Sequence, residues 1–269
     1  MVITFLSDYG TQDDFVGVCH AVMARIAPEV RVVDLAHSVP RHDVRSGAPL
    51  LRRALPYTAP GVHLAVVDPE VGGARRAVAL RCAEEDRILV GPDNGVLAPA
   101  AEHFGGVVEA VEIGESPHRL RPVSATFHGR DLFAPVAAAV AAGAPLADAG
   151  RPLDPDELVT LELPTAHVED GELVAHVLAV DRFGNLTLDA LHDQLSGARL
   201  RLGERVVVEM EGEEHDAQYA TTFADVEPGD LLLYEDAYRT LALAVNRGSA
   251  ADRMAVGLDD ELRLRPAGP

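Results

Sequence analysis

Four consecutive residues near the middle of the chain, His128-Gly129-Arg130-Asp131, bring together an imidazole, a guanidinium, a carboxylate and a glycine. They lie in the string Thr126-Phe127-His128-Gly129-Arg130-Asp131-Leu132-Phe133-Ala134-Pro135, where an apolar helix over Leu132 to Ala142 is expected to begin. A helix start offers free backbone N–H groups and a favourable dipole, so polar residues gathered there can face a ligand. Two other segments have the same character. Ser7-Asp8-Tyr9-Gly10-Thr11-Gln12-Asp13-Asp14 follows the apolar run Val2 to Leu6, and Asp68-Pro69-Glu70-Val71-Gly72-Gly73-Ala74-Arg75 follows Val62 to Val67. Strands that break into Gly-containing polar loops are how an α/β fold builds a site at the carboxyl ends of its strands.

Each constellation also has a plain structural reading. Asp8 either caps a turn at a strand end or grips a diol such as a ribose. Asp13 and Asp14 suit a helix start. Asp68 and Arg75 bracket a Pro/Gly turn and can pair as a hairpin salt bridge, worth little if exposed. His128 is a catalytic candidate or a buried histidine, and Arg130–Asp131 reads as an ion pair around the helix start. For metal binding, His20, Asp13 and Asp14 fall on or near one helix, and His37 and His42 are close in sequence. None forms a recognised ligand spacing, so no metal is expected. The remaining histidines are scattered, and no nucleophile elbow, Walker loop or dinucleotide fingerprint is present.

The elements that must hold these residues fit within 269 residues, enough for one large domain or two ordinary ones. Apolar residues make up 48% and charged residues 25%, the balance of a soluble globular protein. No apolar stretch approaches membrane-spanning length and no leader pattern opens the chain, so a cytoplasmic protein is expected. Cys19 and Cys82 sit in apolar patterns and read as reduced core residues. The formal charge of −20 argues against a nucleic-acid partner. All 23 basic residues are arginine. Without lysine there is no Schiff base, pyridoxal-phosphate anchor, P-loop lysine or kinase lysine.

Strand and helix signals alternate in the first half. Val2–Leu6, Arg31–Leu35, Val62–Val67, Ala77–Cys82, Ile88–Val90 and Val107–Ile113 read as strands. Phe15, Val18, Cys19, Val22 and Ile26 mark a helix capped by Asp13 or Asp14, and Asp43 caps another running through Leu55. Beyond about His167 only short strands remain: Leu173–Val180, Leu186–Leu188, Arg205–Met210, Leu231–Tyr234 and Leu241–Val245. The expectation is an α/β N-terminal domain over residues 1–164 and an all-β, barrel-like C-terminal domain over 165–269. The most site-like stretch of the second domain is Asp181-Arg182-Phe183-Gly184-Asn185.

Together these motifs resemble the S-adenosylmethionine hydroxide adenosyltransferase family, relatives of the fluorinase and chlorinase. The resemblance runs nearly end to end: Ser7-Asp8-Tyr9-Gly10 with Asp13-Asp14, Asp68-Pro69 to Arg75, Gly91-Pro92-Asp93-Asn94-Gly95, Thr126–Pro135, and Phe183-Gly184-Asn185. It implies hydrolysis of S-adenosyl-L-methionine to adenosine and L-methionine by a homotrimer with active sites at subunit interfaces, without metal or redox cofactor. It implies that Asp68, Arg75 and His128 gather around the attacking water and that Asp8 grips the ribose. Phe183 and Asn185 would hold adenine, Asp181 would lie toward the methionine amine, and backbone near Asn246 and Arg247 would edge the base. Asp13 and Phe127 complete the expected substrate contacts. Where relatives often carry Asn-Ser near the methionine carboxylate, this chain reads Asp236-Ala237-Tyr238, so Tyr238 or Arg239 is expected to substitute. His42 stands where the fluorinase has a stacking aromatic, and is either a ligand wall or surface.

Displacement at the C5′ of a sulfonium releases a neutral thioether, so the difficulty lies in the nucleophile, since bulk water has a pKa of about 15.7. The implied roles are proton acceptance or relay by His128 and Asp68, and stabilisation of hydroxide character by Arg75. Asp68 also bears on water against halide. Two like charges about 4 Å apart at an effective dielectric near 20 cost on the order of 4 kcal/mol. The halide-using relatives carry a tyrosine in place of Asp68, and the fluorinating branch has a serine in place of Gly129 and an extra loop around 83–86. A halogenase, or a non-catalytic sensor of adenosine or S-adenosylmethionine, are the alternatives.

Overall fold

A mostly apolar segment such as Val2–Ser7 (β1), broken only by Thr4 and its final Ser7, suits a strand buried on both faces. In the computed structural model, which describes residues 1–268, β1 pairs in parallel with Arg31–Ala36 (β2) on one side and Val62–Val66 (β3) on the other. Parallel neighbours need crossovers, supplied by Phe15–Ile26 (α1) and Val44–Ala54 (α2). Ile88–Pro92 (β5) continues the parallel half beside β3. Ala77–Cys82 (β4), Val107–Glu112 (β6) and Arg151–Leu153 (β7) then add antiparallel strands, giving the order β2-β1-β3-β5-β4-β6-β7.

The mixed sheet has a core on each face. One gathers Ile3, Phe5, Cys19, Met23, Phe133 and Val136 beneath α1 and Ala134–Ala141 (α4). The other gathers Leu6, Leu51, Leu55, Leu89, Leu97 and Phe104 beneath α2 and Ala98–His103 (α3). Asp43 caps α2 by accepting from the Ser46 N–H at 2.9 Å. Asp14 occupies the corresponding position of α1, but its side chain makes no capping bond. The helix expected from Leu132 starts three residues earlier, with a wide π-type turn over Gly129–Phe133, so Gly129 and Asp131 lie inside helical backbone.

The first compact unit spans Met1–Glu162, and a second begins at Leu163. In the second, His167–Glu169 (β8), Glu172–Val180 (β9), Leu186–Leu191 (β10), Arg205–Met210 (β11), Glu213–Tyr219 (β12), Leu231–Glu235 (β13), Thr240–Val245 (β14) and Glu261–Pro266 (β15) form one sheet. The β9–β10 pairing closes seven of these strands into a barrel, with β8 appended to β9. Closure removes the exposed edges of an open sheet. Every pairing is antiparallel except β12 with β13. Three of its strands, β8, β12 and β15, and the short helix Ala250–Met254 (α5) are absent from the sequence-based expectation. No helix among the described residues is long and apolar enough to cross a membrane.

Candidate active site

Because β1 and β3 are parallel neighbours with Ser7 opposite Val66, the loops leaving their carboxyl ends emerge side by side. The segment Thr126–Phe127 meets them there, and together they line a cleft of about 250 Å3. Asp8, Asp13, Asp68 and Phe127 all border it, as do Tyr9 and His42. Asp8 is held in place by the His42 N–H, which donates to its Oδ2 at 2.9 Å, and the Gly10 N–H donates to the His37 carbonyl at 2.7 Å. One wall is aromatic: Phe127 meets Tyr9 edge-on with ring centroids 5.8 Å apart, and meets Phe15 at 5.1 Å.

Behind Asp68 lies a buried relay. Arg75 donates from Nε to Asp68 Oδ1 at 2.9 Å and from one terminal nitrogen to Oδ2, and both side chains are about 5% exposed or less. That same terminal nitrogen lies 2.8 Å from His128 Nδ1. A guanidinium only donates, so Nδ1 must be the accepting nitrogen and neutral His128 carries its proton on Nε2. Burial, and then the Arg75 charge, lower the His128 pKa, which favours that neutral form. Asp68, Arg75 and His128 thus converge, 53 residues apart in sequence at their widest bond.

The neighbouring motif residues hold the relay in position. Gly72 has φ +78°, and a Cβ there would lie 2.2 Å from the Ala125 carbonyl oxygen, so this glycine lets the Asp68–Arg75 loop rest on Ala125, just before Thr126. Asn94 Nδ2 donates to the Val67 carbonyl at 2.8 Å, fixing the residue before Asp68. Asp93 is buried and pairs with Arg76, whose Nε donates at 2.8 Å. Asp131 pairs with Arg130 at 2.7 Å and accepts from the Ser124 N–H at 2.8 Å. Burial opposes ionisation of Asp131, but these partners outweigh it and hold its pKa below the usual range.

Tyr9 is a cleft residue that the sequence reading quotes only as part of a motif. Burial first, then the neighbouring Cys19, Asp8 and Asp68, push its pKa well above the ordinary tyrosine value, so it stays a neutral phenol. A Cβ on Gly129 would fall 2.0 Å from Tyr9 Oη, so the ring fills the space a side chain at 129 would need. Cys19 is a thiol whose pKa burial pushes up to about 12, which removes it as a nucleophile.

The candidates in the second unit form a separate group. Asp181 Oδ1 accepts from the backbone N–H of Phe183 at 2.8 Å and of Asn185 at 3.0 Å, and Oδ2 accepts from Asn185 Nδ2 at 2.8 Å. Asp181 therefore builds the turn, and Phe183 projects from it 61% exposed, with the Arg182 guanidinium 4.6 Å from its ring centroid. The Gly184 carbonyl accepts from Ala250 and Ala251 N–H, which brings the turn against the segment just after Asn246 and Arg247. Asn246 donates through Nδ2 to the Val226 carbonyl, and its own carbonyl accepts from Gly229. The Tyr238 N–H donates to Asp236 Oδ1.

A larger cleft of about 480 Å3 lies in the first unit along β4 and α3, among Val78, Leu80, Leu97 and Thr160. Its buried carboxylate, Asp93, is already paired with Arg76. The smaller cleft, where Asp68 has a guanidinium and an imidazole behind it, is the chemically equipped one.

Residues 3–150 match the model of the SAM hydroxide adenosyltransferase N-terminal domain, and residues 175–263 match that of the C-terminal domain. The chain is 50% identical over 262 residues to a protein of Salinispora tropica named (R)-S-adenosyl-L-methionine hydrolase, covering 97% of each. It is 31% identical over 276 residues to a fluorinase of an Actinoplanes species, covering 93% of this chain and 92% of that one. A crystal structure of an uncharacterised conserved protein from Thermotoga maritima superposes with a TM-score of 0.91 at 36% identity, covering 98% of this chain and 99% of that one.

Proposed function

The chain belongs to the SAM hydroxide adenosyltransferase family, and from that premise we infer that it is an enzyme that hydrolyses S-adenosyl-L-methionine to adenosine and L-methionine. The observation that carries this reading furthest is the Asp68–Arg75–His128 relay at the edge of a cleft also bordered by Asp8. A pure binding module has no use for a buried Asp68–Arg75 pair bonded onward to a half-buried imidazole beside its pocket. The relative's name specifies the R configuration at the sulfonium, and we extend that preference to this chain.

Water enters in line with the C5′–sulfur bond, and its oxygen becomes the 5′-hydroxyl while methionine departs as a neutral thioether. Asp68 accepts the proton. Arg75 neutralises that carboxylate and holds it in place, and stabilises hydroxide character on the water. His128 braces Arg75 and offers its Nε2–H as a donor. Asp8 binds the ribose hydroxyls, with Asp13 and Phe127 as further walls. Phe183 and Asn185 hold the adenine, Asp181 lies toward the methionine amine, Asn246 and Arg247 edge the base, and Tyr238 takes the carboxylate end. The chemistry asks nothing of a metal or redox group. We place the active form as a homotrimer with sites shared between protomers. We also assign it to the cytoplasm, where the free Cys19 and Cys82 fit a reducing compartment.

Arg75 takes up both oxygens of Asp68, so the pair repels a halide less than a lone carboxylate would. The decisive assay therefore includes chloride. With each sulfonium epimer in oxygen-18 water, adenosine labelled at the 5′-hydroxyl and methionine are expected, with the R epimer consumed faster. A 5′-chloro nucleoside would make the protein a halogenase, and binding without turnover would make it a sensor.

A further inference from the structure

Away from the relay, on the α1 side of the sheet, three side chains converge that the reaction does not use. His20 on α1 places Nε2 2.8 Å from Asp34 Oδ1, and His37, just past the end of β2, places its Nε2 3.0 Å from the same oxygen. The three ligand atoms lie within 4.8 Å of one another. We propose that His20, Asp34 and His37 form a binding site for a divalent transition cation of the zinc class, structural rather than catalytic.

Two imidazole nitrogens and one carboxylate are the donor set such ions take, at about 2.0–2.2 Å per bond. Tetrahedral bonds of that length separate ligand atoms by about 3.3 Å, so the two N···O contacts need open only by a few tenths of an ångström. The His37 side chain is 4% exposed and its other nitrogen is held by Ser7 Oγ at 2.8 Å. That hydroxyl can accept from Nδ1–H and so leave the Nε2 lone pair to the metal, the outer bond that fixes tautomer and ring direction in metal-binding histidines. Asp34 and His20 side chains are 43% and 33% exposed, giving the ion a route in and leaving its remaining position to water.

The site would tie α1 to β2 and brace the substrate loop. Ser7 precedes Asp8, and the His37 carbonyl accepts from Gly10. An ion holding His37 therefore stiffens both ends of the turn that carries Asp8.

The test uses the full, untagged chain, stripped with chelator and titrated with cobalt(II). One equivalent is expected to give the visible absorption of a four-coordinate nitrogen–oxygen site, displaced by zinc, and zinc should raise Tm by about a few degrees. His20→Ala and Asp34→Asn, checked for native circular dichroism, should abolish the band and the Tm shift. Ser7→Ala should weaken binding about 10- to 100-fold while keeping the band. If the unsubstituted chain gives no such band, or if His20→Ala and Asp34→Asn bind equally well, the trio is a hydrogen-bonded array and the proposal fails.

Discussion

At the scale of single residues, the most consequential detail is which nitrogen of His128 faces Arg75. An imidazole that accepts at Nδ1 and carries its proton at Nε2 cannot also take a proton from water at Nε2, which fits the part proposed for it, positioning Arg75. This separates two roles that sequence reasoning leaves joined. His128→Asn, whose amide oxygen can stand near the place of Nδ1, is expected to stay within about tenfold of the native turnover, whereas His128→Ala should lose about a hundredfold. A proton-accepting His128 would make the two substitutions equally damaging. The pH dependence gives a second readout. Protonating His128 would set two cations against each other and break the bond to Arg75. Its pKa is lowered by burial and then by Arg75, so activity should hold as pH falls through the ordinary histidine range and decline only below it. In His128→Asn that acid limb should vanish from the kcat/KM profile. A limb unchanged in the variant would assign it to another group.

At the scale of elements, the strands that carry the site are pinned by a buried polar cluster beneath it. His63 on β3 lies 2.8 Å from Thr4 Oγ1 on β1 and, through Nε2, 3.1 Å from an Arg87 nitrogen next to β5. Burial, and then the Arg87 charge, push the His63 pKa down to about 3. Unfolded, a histidine titrates near 6.5, roughly, so between these values the unfolded chain binds a proton that the folded chain refuses. Stability from this group is therefore complete above about pH 6.5 and falls as pH drops toward 3, by at most about 1.4 kcal/mol per unit. Urea midpoints measured from pH 7 to 4 should decline less steeply in His63→Asn than in the native chain. Equal slopes would mean His63 does not titrate between the two states. The strands β1, β3, β4 and β5 were legible because each is an apolar run ending in a polar loop. The strand β12, Glu-Glu-His-Asp-Ala-Gln-Tyr, was not, because its first half is mostly exposed and only Ala217 and Tyr219 reach the barrel core. In β15 Leu262 and Leu264 alternate with Arg263 and Arg265, a pattern of only two apolar residues whose partners β9 and β11 lie far away in sequence. The Asp68, Arg75 and His128 candidates stood out by residue type, whereas Tyr9 did not. An aromatic beside glycine at a strand end reads as a turn, and only the folded chain brings it against Gly129 in the helical turn Gly129–Phe133. The His20–Asp34–His37 cluster was likewise hidden, because its members meet through the crossover of α1 onto β2.

At the scale of the whole molecule, the proposed function depends on how many chains make one active site. The first unit offers a cleft bordered by Asp68, and the second offers a turn from which Phe183 stands 61% exposed, the two parts that the proposed function assigns to one site. With a formal charge of −20, copies of the chain repel at low salt, so assembly should strengthen as ionic strength rises. The absence of lysine makes amine-directed cross-linking a poor probe, and native mass spectrometry is the better one. Complementation tests the sharing directly. One chain carries His128→Ala, crippling the relay, and another carries Phe183→Ala with Asn185→Ala, altering the turn proposed to hold adenine; both substitution sets leave the cores untouched. Co-expressed in equal amounts and allowed to mix at random, they behave differently under the two architectures. If each site takes its relay from one protomer and its adenine turn from another, about a quarter of the sites receive two intact halves, and about a quarter of native activity should return. If both halves come from one chain, every site keeps one damaged half and no activity returns above that of the separate variants. Recovery near a quarter would support sites shared between protomers, with native mass spectrometry reading the number of chains, and its absence in a verified mixed assembly would confine each site to a single chain.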